Sequence, residues 1–316
     1  MAPQRVALCG LALEALASAA LPFAPNLYVF LALRLVEGAG FVMTIVPGTL
    51  MVIAVSASRY RSVALSTWSS FAPVGFALGQ LFAADASYGA IAIGHTIALV
   101  VMAVLLAACV PAVQAPKAAG ARLVQALHHA PALRTALAFG CVAGLLLGAV
   151  ALAPLALSKF FNLPVADAAR LTALAALPGI AGRFVGGWLL GKSAPRLVYA
   201  GAAAIGLVFI PLALYAPVPL AVALGSYALF QICMGALAGM LQAMLPQVTP
   251  AAAQLGTVTG LANPMITIGN LVGPPLTLAV YAAAGAGAAN ALLILALVLS
   301  VALVSGVAAY RRALAP

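Results

Sequence analysis

Long apolar runs, separated by short polar or proline-containing connections, dominate the hydrophobic pattern of this chain. Most runs reach about 20 residues and show no strict polar–apolar alternation, which favours membrane-spanning helices over the strands of a β-barrel. We therefore predict an all-α membrane protein, a polytopic helical bundle of about ten transmembrane helices. The predicted helices cover residues 5–24, 27–55, 62–84, 89–111, 133–158, 166–190, 196–215, 218–245, 253–283 and 288–310.

The composition agrees with this interpretation, because 66% of the 316 residues are hydrophobic and only 6% are charged. A soluble domain carries about 25% charged residues, so this chain could not cover its surface in water. The net charge of +10 comes mainly from basic residues whose loops share one side of the predicted layout. These residues are Arg5, Arg59, Arg61, Lys117, Arg122, Arg134, Arg183, Lys192, Arg196, Arg311 and Arg312.

Such an excess of basic residues is typical of cytoplasmic loops. Only Lys159 and Arg170 fall on the opposite side, and Arg34 lies inside a helix. We therefore expect a multi-pass protein of the cell (inner) membrane with both termini in the cytoplasm. Its surroundings are the lipid bilayer, and the basic charge indicates no nucleic-acid partner.

Reactive and metal-ligating side chains are sparse. The four cysteines lie apart in apolar runs and lack C-x-x-C spacing, so they favour neither a disulfide framework nor a metal site. Membrane transferases need clustered carboxylates to bind metal-complexed diphosphate. An ATP-driven pump needs a nucleotide-binding loop, and none is recognisable. The four acidic residues, none of them adjacent, are Glu14, Glu37, Asp85 and Asp167. We therefore expect no enzyme activity, no catalytic residue, no cofactor and no metal.

The most unusual feature is an arginine–glutamate pair inside the second apolar run, Arg34 and Glu37. A charge at bilayer depth costs about 2.5–3.5 kcal/mol even on lenient insertion scales, and the i,i+3 spacing lets the two side chains share a helix face. Gly38 leaves room beside them for another helix or a solute. Glu14 lies at a similar depth on the preceding, antiparallel helix, so a cluster of three charges is expected.

Two interpretations of this cluster stay open. It is either a proton relay or substrate counter-charge, or a structural ion pair that locks two helices together. For Arg34 the two interpretations are balanced, whereas for Glu14 we prefer the structural one.

The chain also resembles itself at a long offset. Residues 5–10 match residues 196–201, and Pro73 matches Pro264, each pair 191 positions apart. Both copies begin on the same side of the membrane, which indicates a parallel repeat about the membrane normal.

The repeat predicts two pseudo-symmetric halves. Residues 1–111 form an incomplete N-terminal half of four helices, 112–132 a cytoplasmic linker, and 133–316 a C-terminal half of six helices. Aligning the halves leaves two helices unmatched ahead of Arg5.

Two motifs resemble the major facilitator superfamily. Arg34-x-x-x-Gly38-x-Gly40 is similar to the fourth-helix motif of that family, and residues 182–192 are similar to the second copy of its cytoplasmic-loop signature, with Gly191 in place of the usual aspartate. The resemblance covers the whole chain, which would begin at the third helix of the family and lack the first two. It is loosely closest to small-solute carriers of the cyanate type.

The resemblance implies a central cavity lined by the family's first, fourth, seventh and tenth helices, with a second polar stripe nearby. The residues expected to bind substrate or to couple its movement are Arg34, Glu37, Gly38, Phe41, Tyr227, Gln231, Met234 and Asn263.

The function expected is that of a secondary active transporter, which moves a small organic solute across the cytoplasmic membrane by alternating access between the halves. The scarcity of buried charges favours a small, weakly charged or anionic substrate, with a coupled proton as a further expectation. The alternative is a non-transporting membrane protein: a sensor, an assembly factor or an inactive truncated carrier. The sequence leaves the substrate, the coupling ion, the direction and self-association open.

Overall fold

The computed structural model describes residues 2–83, 86–110, 127–190, 195–214, 218–249 and 254–313. All regular elements in these ranges are helical, which confirms the all-α class. The helices are α1 (Pro3–Ala20), α2 (Leu27–Val55), α3 (Arg61–Trp68), α4 (Phe71–Ala83), α5 (Tyr88–Cys109), α6 (Ala130–Phe161), α7 (Val165–Ala176), α8 (Pro178–Leu190), α9 (Pro195–Leu214), α10 (Leu220–Met244) and α11 (Leu255–Ala313).

Seven helical stretches in the described part of the chain are long and apolar enough to cross a membrane. They are Pro3–Phe23, Leu27–Val55, Tyr88–Cys109, Ala130–Phe161, Val165–Leu190, Leu220–Gln247 and Leu255–Val307. A multi-pass membrane protein follows from this number. The figure of ten helices and the division into four and six stay predictions.

Polar residues set several helix ends. The Asn26 side chain accepts a hydrogen bond from the Val29 amide at 3.0 Å, and α2 begins directly after this cap. Ser87 caps α5 in the same way. Asn162 ends α6 in the left-handed conformation, with φ 52°, which asparagine adopts more readily than most residues.

Two predicted helices are interrupted in the structure. The stretch predicted at 62–84 forms α3 and α4, separated by a turn at Ser69 and Ser70, and the Ser69 hydroxyl donates to the Ser66 carbonyl at 2.6 Å. The stretch predicted at 166–190 forms α7 and α8, which meet just before Pro178. Serine side chains compete for backbone hydrogen bonds, and proline fits only the first turn of a helix, so both breaks have a local cause.

The helix α11 consists of two arms that meet at Gly285, whose φ of 79° and ψ of −177° are not helical. Tyr281 lies near the end of α6, with its ring 5.8 Å from Lys159 Nζ. Beyond the break, Gly306 lies near the start of α6, where a Cβ would be 2.6 Å from Arg134 Nη1. The chain therefore reverses at Gly285, a conformation that glycine adopts without steric cost.

The chain folds into two compact units. Unit 1 comprises residues 1–57 and 82–120, and in it α1 packs against both α2 and α5. Unit 2 comprises residues 58–81 and 121–316, and its hydrophobic core is supplied mainly by α6, α9, α10 and α11.

The predicted half boundaries stay predictions, and most of the predicted linker, residues 112–126, lies outside the described residues. The residues of α3 belong to unit 2, although the sequence repeat assigns them to the N-terminal half.

Candidate functional site

Glu37 is the centre of a polar cluster in unit 1. Its Oε2 accepts a hydrogen bond from Arg34 Nη1 at 2.5 Å, and its Oε1 lies 3.5 Å from His95 Nδ1 on α5. The Glu37 side chain is only 10% exposed, whereas those of Arg34 and His95 are 47% and 48% exposed. One buried carboxylate therefore faces two half-exposed bases that come from different helices.

The helix α1 also contacts His95, through Ser18. Ser18, which is buried, has its hydroxyl 3.0 Å from His95 Nδ1 and 3.5 Å from the Ala92 carbonyl. Because the hydroxyl can donate to that carbonyl, it can accept from a protonated Nδ1. Ser18 thus fixes the imidazole nitrogen that faces Glu37.

Glu14 adds a second buried carboxylate to the cluster. It packs against the bare face of α2, where a Cβ at Gly40 would lie 2.8 Å from Glu14 Cγ. When both are ionised, Glu14 and Glu37 repel each other, because each carries a negative charge. The three charged residues expected to cluster, Glu14, Arg34 and Glu37, therefore lie in one unit.

The charges of the cluster do not balance without a bound proton. Glu14 and Glu37 supply two negative charges when ionised, and Arg34 supplies the single permanent positive charge. His95 is the remaining group that can become positive. One proton, on His95 or on a carboxylate, makes the cluster neutral, and a low-dielectric membrane interior favours that neutral state.

An open face of α2 continues from Arg34. The Arg34 guanidinium lies 5.4 Å from the centre of the Phe30 ring, within cation–π range. A Cβ at Gly38 would meet no atom within 4 Å, and Phe41 is 38% exposed. Arg34, Gly38 and Phe41 recur at helical spacing, so these predicted site residues share an accessible surface within unit 1.

The predicted residues of α10 lie in the interior of unit 2. Gln231 Nε2 donates a hydrogen bond to the Tyr227 hydroxyl at 2.6 Å, and both side chains are buried. Met234 is completely buried in the same core. The structure therefore brings these residues together as a packed polar pair with an apolar neighbour, and their role in substrate binding stays a prediction.

Asn263 lies on α11 and is half-buried. Its side-chain Nδ2 is buried and has no hydrogen-bond partner among the described residues. It does not belong to the Tyr227–Gln231 pair, and its predicted role also stays open to test.

A cavity of unit 2 has none of these residues in its wall. It has a volume of about 290 Å³ and lies between α6 and the two arms of α11, lined by groups such as Cys141, Met265 and Leu292. Its wall is almost entirely apolar, so it offers nothing that would recognise a charged solute. The described residues also include no group of three or more His, Cys, Asp or Glu side chains placed to hold a metal ion.

Sequence reasoning missed His95 and Ser18. The signal for His95 was present, since an ionisable residue inside a predicted membrane helix is a functional candidate by the same argument that selects Arg34. Its partner was not predictable, because Glu37 and His95 meet only through the packing of α2 and α5 around α1.

Comparison with solved structures shows which fold these units form. The fucose:proton symporter FucP of E. coli matches with a TM-score of 0.73 and 18% identity, over 96% of this chain and 84% of that chain. The human organic anion transporter MFSD10 (TETRAN) matches with a TM-score of 0.72 and 19% identity, over 96% and 77% of the two chains. Among curated proteins none matches the sequence.

At such identities the structural matches show the fold alone. The sequence itself matches the family model described as "Major Facilitator Superfamily" over residues 1–274. This match confirms the family expected from the sequence, while the finer likeness to cyanate-type carriers and the absence of the first two helices stay predictions. The chain belongs to the Major Facilitator Superfamily.

Proposed function

We propose that this protein is a secondary active transporter that moves a small organic anion together with a proton by alternating access. The observation that carries the proposal is Glu37, held between Arg34 and His95 and close to Glu14. Membership of a transporter family and the fold of its relatives support transport as such. We place the protein in the cell membrane with both termini in the cytoplasm, on the basis of its basic loops.

Arg34 is the group that meets the anion. It is half-exposed on an open helix face, and its guanidinium has donors beyond the Nη1 that Glu37 occupies. A carboxylate or similar oxyanion accepts paired hydrogen bonds from such a group. A substrate at Arg34 would compete with Glu37 for this guanidinium.

The charge balance of the cluster indicates that a proton binds together with the anion. When an anion arrives at Arg34, the cluster gains a negative charge, and a proton taken up by Glu37 or His95 restores neutrality. Binding of anion and proton is then mutually favourable, and this coupling acts equally in both directions. Anion and proton would therefore cross together.

The relatives give context for both parts of the proposal. The structure of similar fold from E. coli is named a fucose:proton symporter, and the human one an organic anion transporter. One fold thus serves proton-coupled transport in one protein and anion transport in the other. The residues of unit 1 support the combination in this chain.

Transport by the purified protein in liposomes tests the proposal. Uptake of labelled short-chain carboxylates should rise when the outside is made acidic, and a pH-sensitive dye inside should report proton entry. Arg34→Ala should abolish both uptake and exchange, because it removes the anion contact. Glu37→Gln should lose gradient-driven uptake and retain exchange, because glutamine keeps the shape of the side chain but cannot carry a proton.

Arg170→Ala is the matched control, since Arg170 pairs with Asp167 at an exposed position on α7. It should transport like the unmodified protein. Normal transport by a folded Arg34→Ala variant would contradict the role of Arg34. If the folded protein carries no carboxylate under any gradient, the non-transporting alternative replaces the proposal.

A further inference from the structure

Unit 2 contains a buried arginine, Arg183 on α8, at a junction of three helices. The helix α3 packs against both α8 and α10, and its Ser66 is completely buried there. The Ser66 hydroxyl donates to the Arg183 carbonyl. Gly239 on α10 makes the close approach feasible, because a Cβ there would lie 2.5 Å from that same carbonyl oxygen.

The Arg183 side chain itself is buried. It is 6% exposed, and its Nε has no hydrogen-bond partner among the described residues. Two further buried donors on α3, Arg61 Nε and Trp68 Nε1, also lack a partner within that part of the chain. The helices α3 and α8 therefore carry three buried donors that lack a hydrogen-bond partner among the described residues.

The ion pairs of the described residues do not include a carboxylate beside Arg183. Of the four, Glu14 and Glu37 belong to unit 1, and Asp167 faces Arg170 at 3.3 Å with half of its side chain exposed. Asp85 lies outside the described residues. No described carboxylate therefore neutralises Arg183, although an isolated buried charge costs several kcal/mol.

We propose that Arg183 binds a small oxyanion, a carboxylate or phosphate group, at the junction of α3, α8 and α10. Arginine suits this role, since its planar fork of donors matches the paired oxygens of such a group. The anion comes either from solution or from the phosphate of a lipid, and the chemistry is the same for both. The site belongs to unit 2, whereas Arg34 belongs to unit 1, and the inference does not rest on the proposed transport function.

Thermal unfolding of the purified, delipidated protein tests this site directly. Phosphate or acetate should raise the melting temperature in a saturable way relative to chloride at equal ionic strength, because a ligand that binds only the folded state stabilises it. In an Arg34→Ala background, Arg183→Met should abolish the anion-dependent rise that the Arg34→Ala protein retains. The melting temperature of Arg183→Met in chloride should stay equal or increase, since an unpaired buried charge is replaced by an apolar side chain of similar length.

Arg183→Lys covers the case in which the methionine variant does not fold. Lysine keeps the charge but loses the fork, so half-saturation should require about tenfold more phosphate. Arg170→Met serves as the surface control and Arg34→Ala as the control for the proposed transport site. Arg170→Met should keep the full rise. Arg34→Ala removes the other proposed anion contact and should keep the part of the rise that depends on Arg183, so the site in unit 2 is tested even if transport through Arg34 is refuted.

A parallel melting experiment with added lipid distinguishes between the two sources of the anion. A rise with phosphatidylglycerol but not with free phosphate or acetate, lost in the Arg183 variants, supports a lipid phosphate as the ligand. A rise with the free anions supports a soluble one. The proposal is overturned if no anion raises the melting temperature of the unmodified protein, or if Arg183→Met leaves the response to anions unchanged.

Discussion

At the scale of residues, the cluster around Glu37 shows what local spacing can and cannot predict. Arg34 and Glu37 are three positions apart on one helix, so their pairing follows from helix geometry alone. The structure contains this ion pair. His95 reaches Glu37 only because α1 places Ser18 beside the imidazole. Contacts of this second kind depend on tertiary packing and carry no local signal in the sequence.

His95→Gln is the residue-scale prediction. Glutamine can still hydrogen-bond to Ser18 but cannot take up a proton. Proton-driven uptake should fall about ten- to hundredfold, because losing a hydrogen bond to a charged group costs about 1.5–3 kcal/mol. The pH profile of uptake should also flatten.

The measurement for His95→Gln is uptake in liposomes over a series of external pH values, with exchange at equal pH as the internal reference. His128→Gln, on the segment just before α6, is the matched control and should keep the original profile. An unchanged pH profile in His95→Gln would remove the histidine from the coupling scheme.

At the scale of elements, helix limits were predictable where capping residues set them and unpredictable where distant partners do. The helix α2 runs over the predicted residues 27–55 because Asn26 caps its start. The break between α3 and α4 was missed, since an uninterrupted apolar pattern hides a turn at Ser69 and Ser70. Many of these helices are apolar on all sides. The sequence pattern therefore does not indicate which of their faces pack against protein.

The crossing of α1 and α2 gives the element-scale prediction. A Cβ at Gly40 would lie 2.7 Å from the Gly10 carbonyl oxygen, which cannot move without displacing α1. Gly40→Ala should therefore destabilise the fold by about 1–3 kcal/mol. Gly38→Ala on the same helix should be neutral or stabilising by up to about 1 kcal/mol, because a Cβ there meets nothing within 4 Å and alanine favours a helix.

Unfolding of the two variants in a mixed-micelle denaturant series measures this difference. Equal stability of Gly40→Ala and Gly38→Ala would show that the helices separate freely at this crossing.

At the scale of the whole molecule, the family and the helical class were predictable, because both rest on composition and on motifs within single helices. The division into units was not. Residues 58–81 belong to unit 2 through contacts between α3 and the glycine-lined faces of α8 and α10. A repeat in the sequence reports shared ancestry of halves, whereas α3 packs against backbone and glycine faces that lie more than 100 positions away in the chain.

A chain divided after residue 120 tests the assignment of α3. The fragment 121–316 should be unstable alone and should be recovered in quantity when the fragment 1–120 is co-expressed, because that fragment supplies α3. Ser66→Leu in the shorter fragment should prevent recovery, since Ser66 has no free volume around it. Thr67→Leu, at the exposed neighbouring position, should not. Equal recovery with both variants would contradict the assignment.

The position of α3 also sets an order of events during synthesis. Ser66 and Arg183, which are hydrogen-bonded in the finished protein, are 117 residues apart in the chain. At about 5–20 residues per second, a ribosome makes Arg183 about 6–23 s after Ser66. During that interval α3, which begins at Arg61, lacks the helices α8 and α10 that enclose it in the finished protein. Newly made chains are therefore most open to proteolysis and to chaperone binding at residues 58–81.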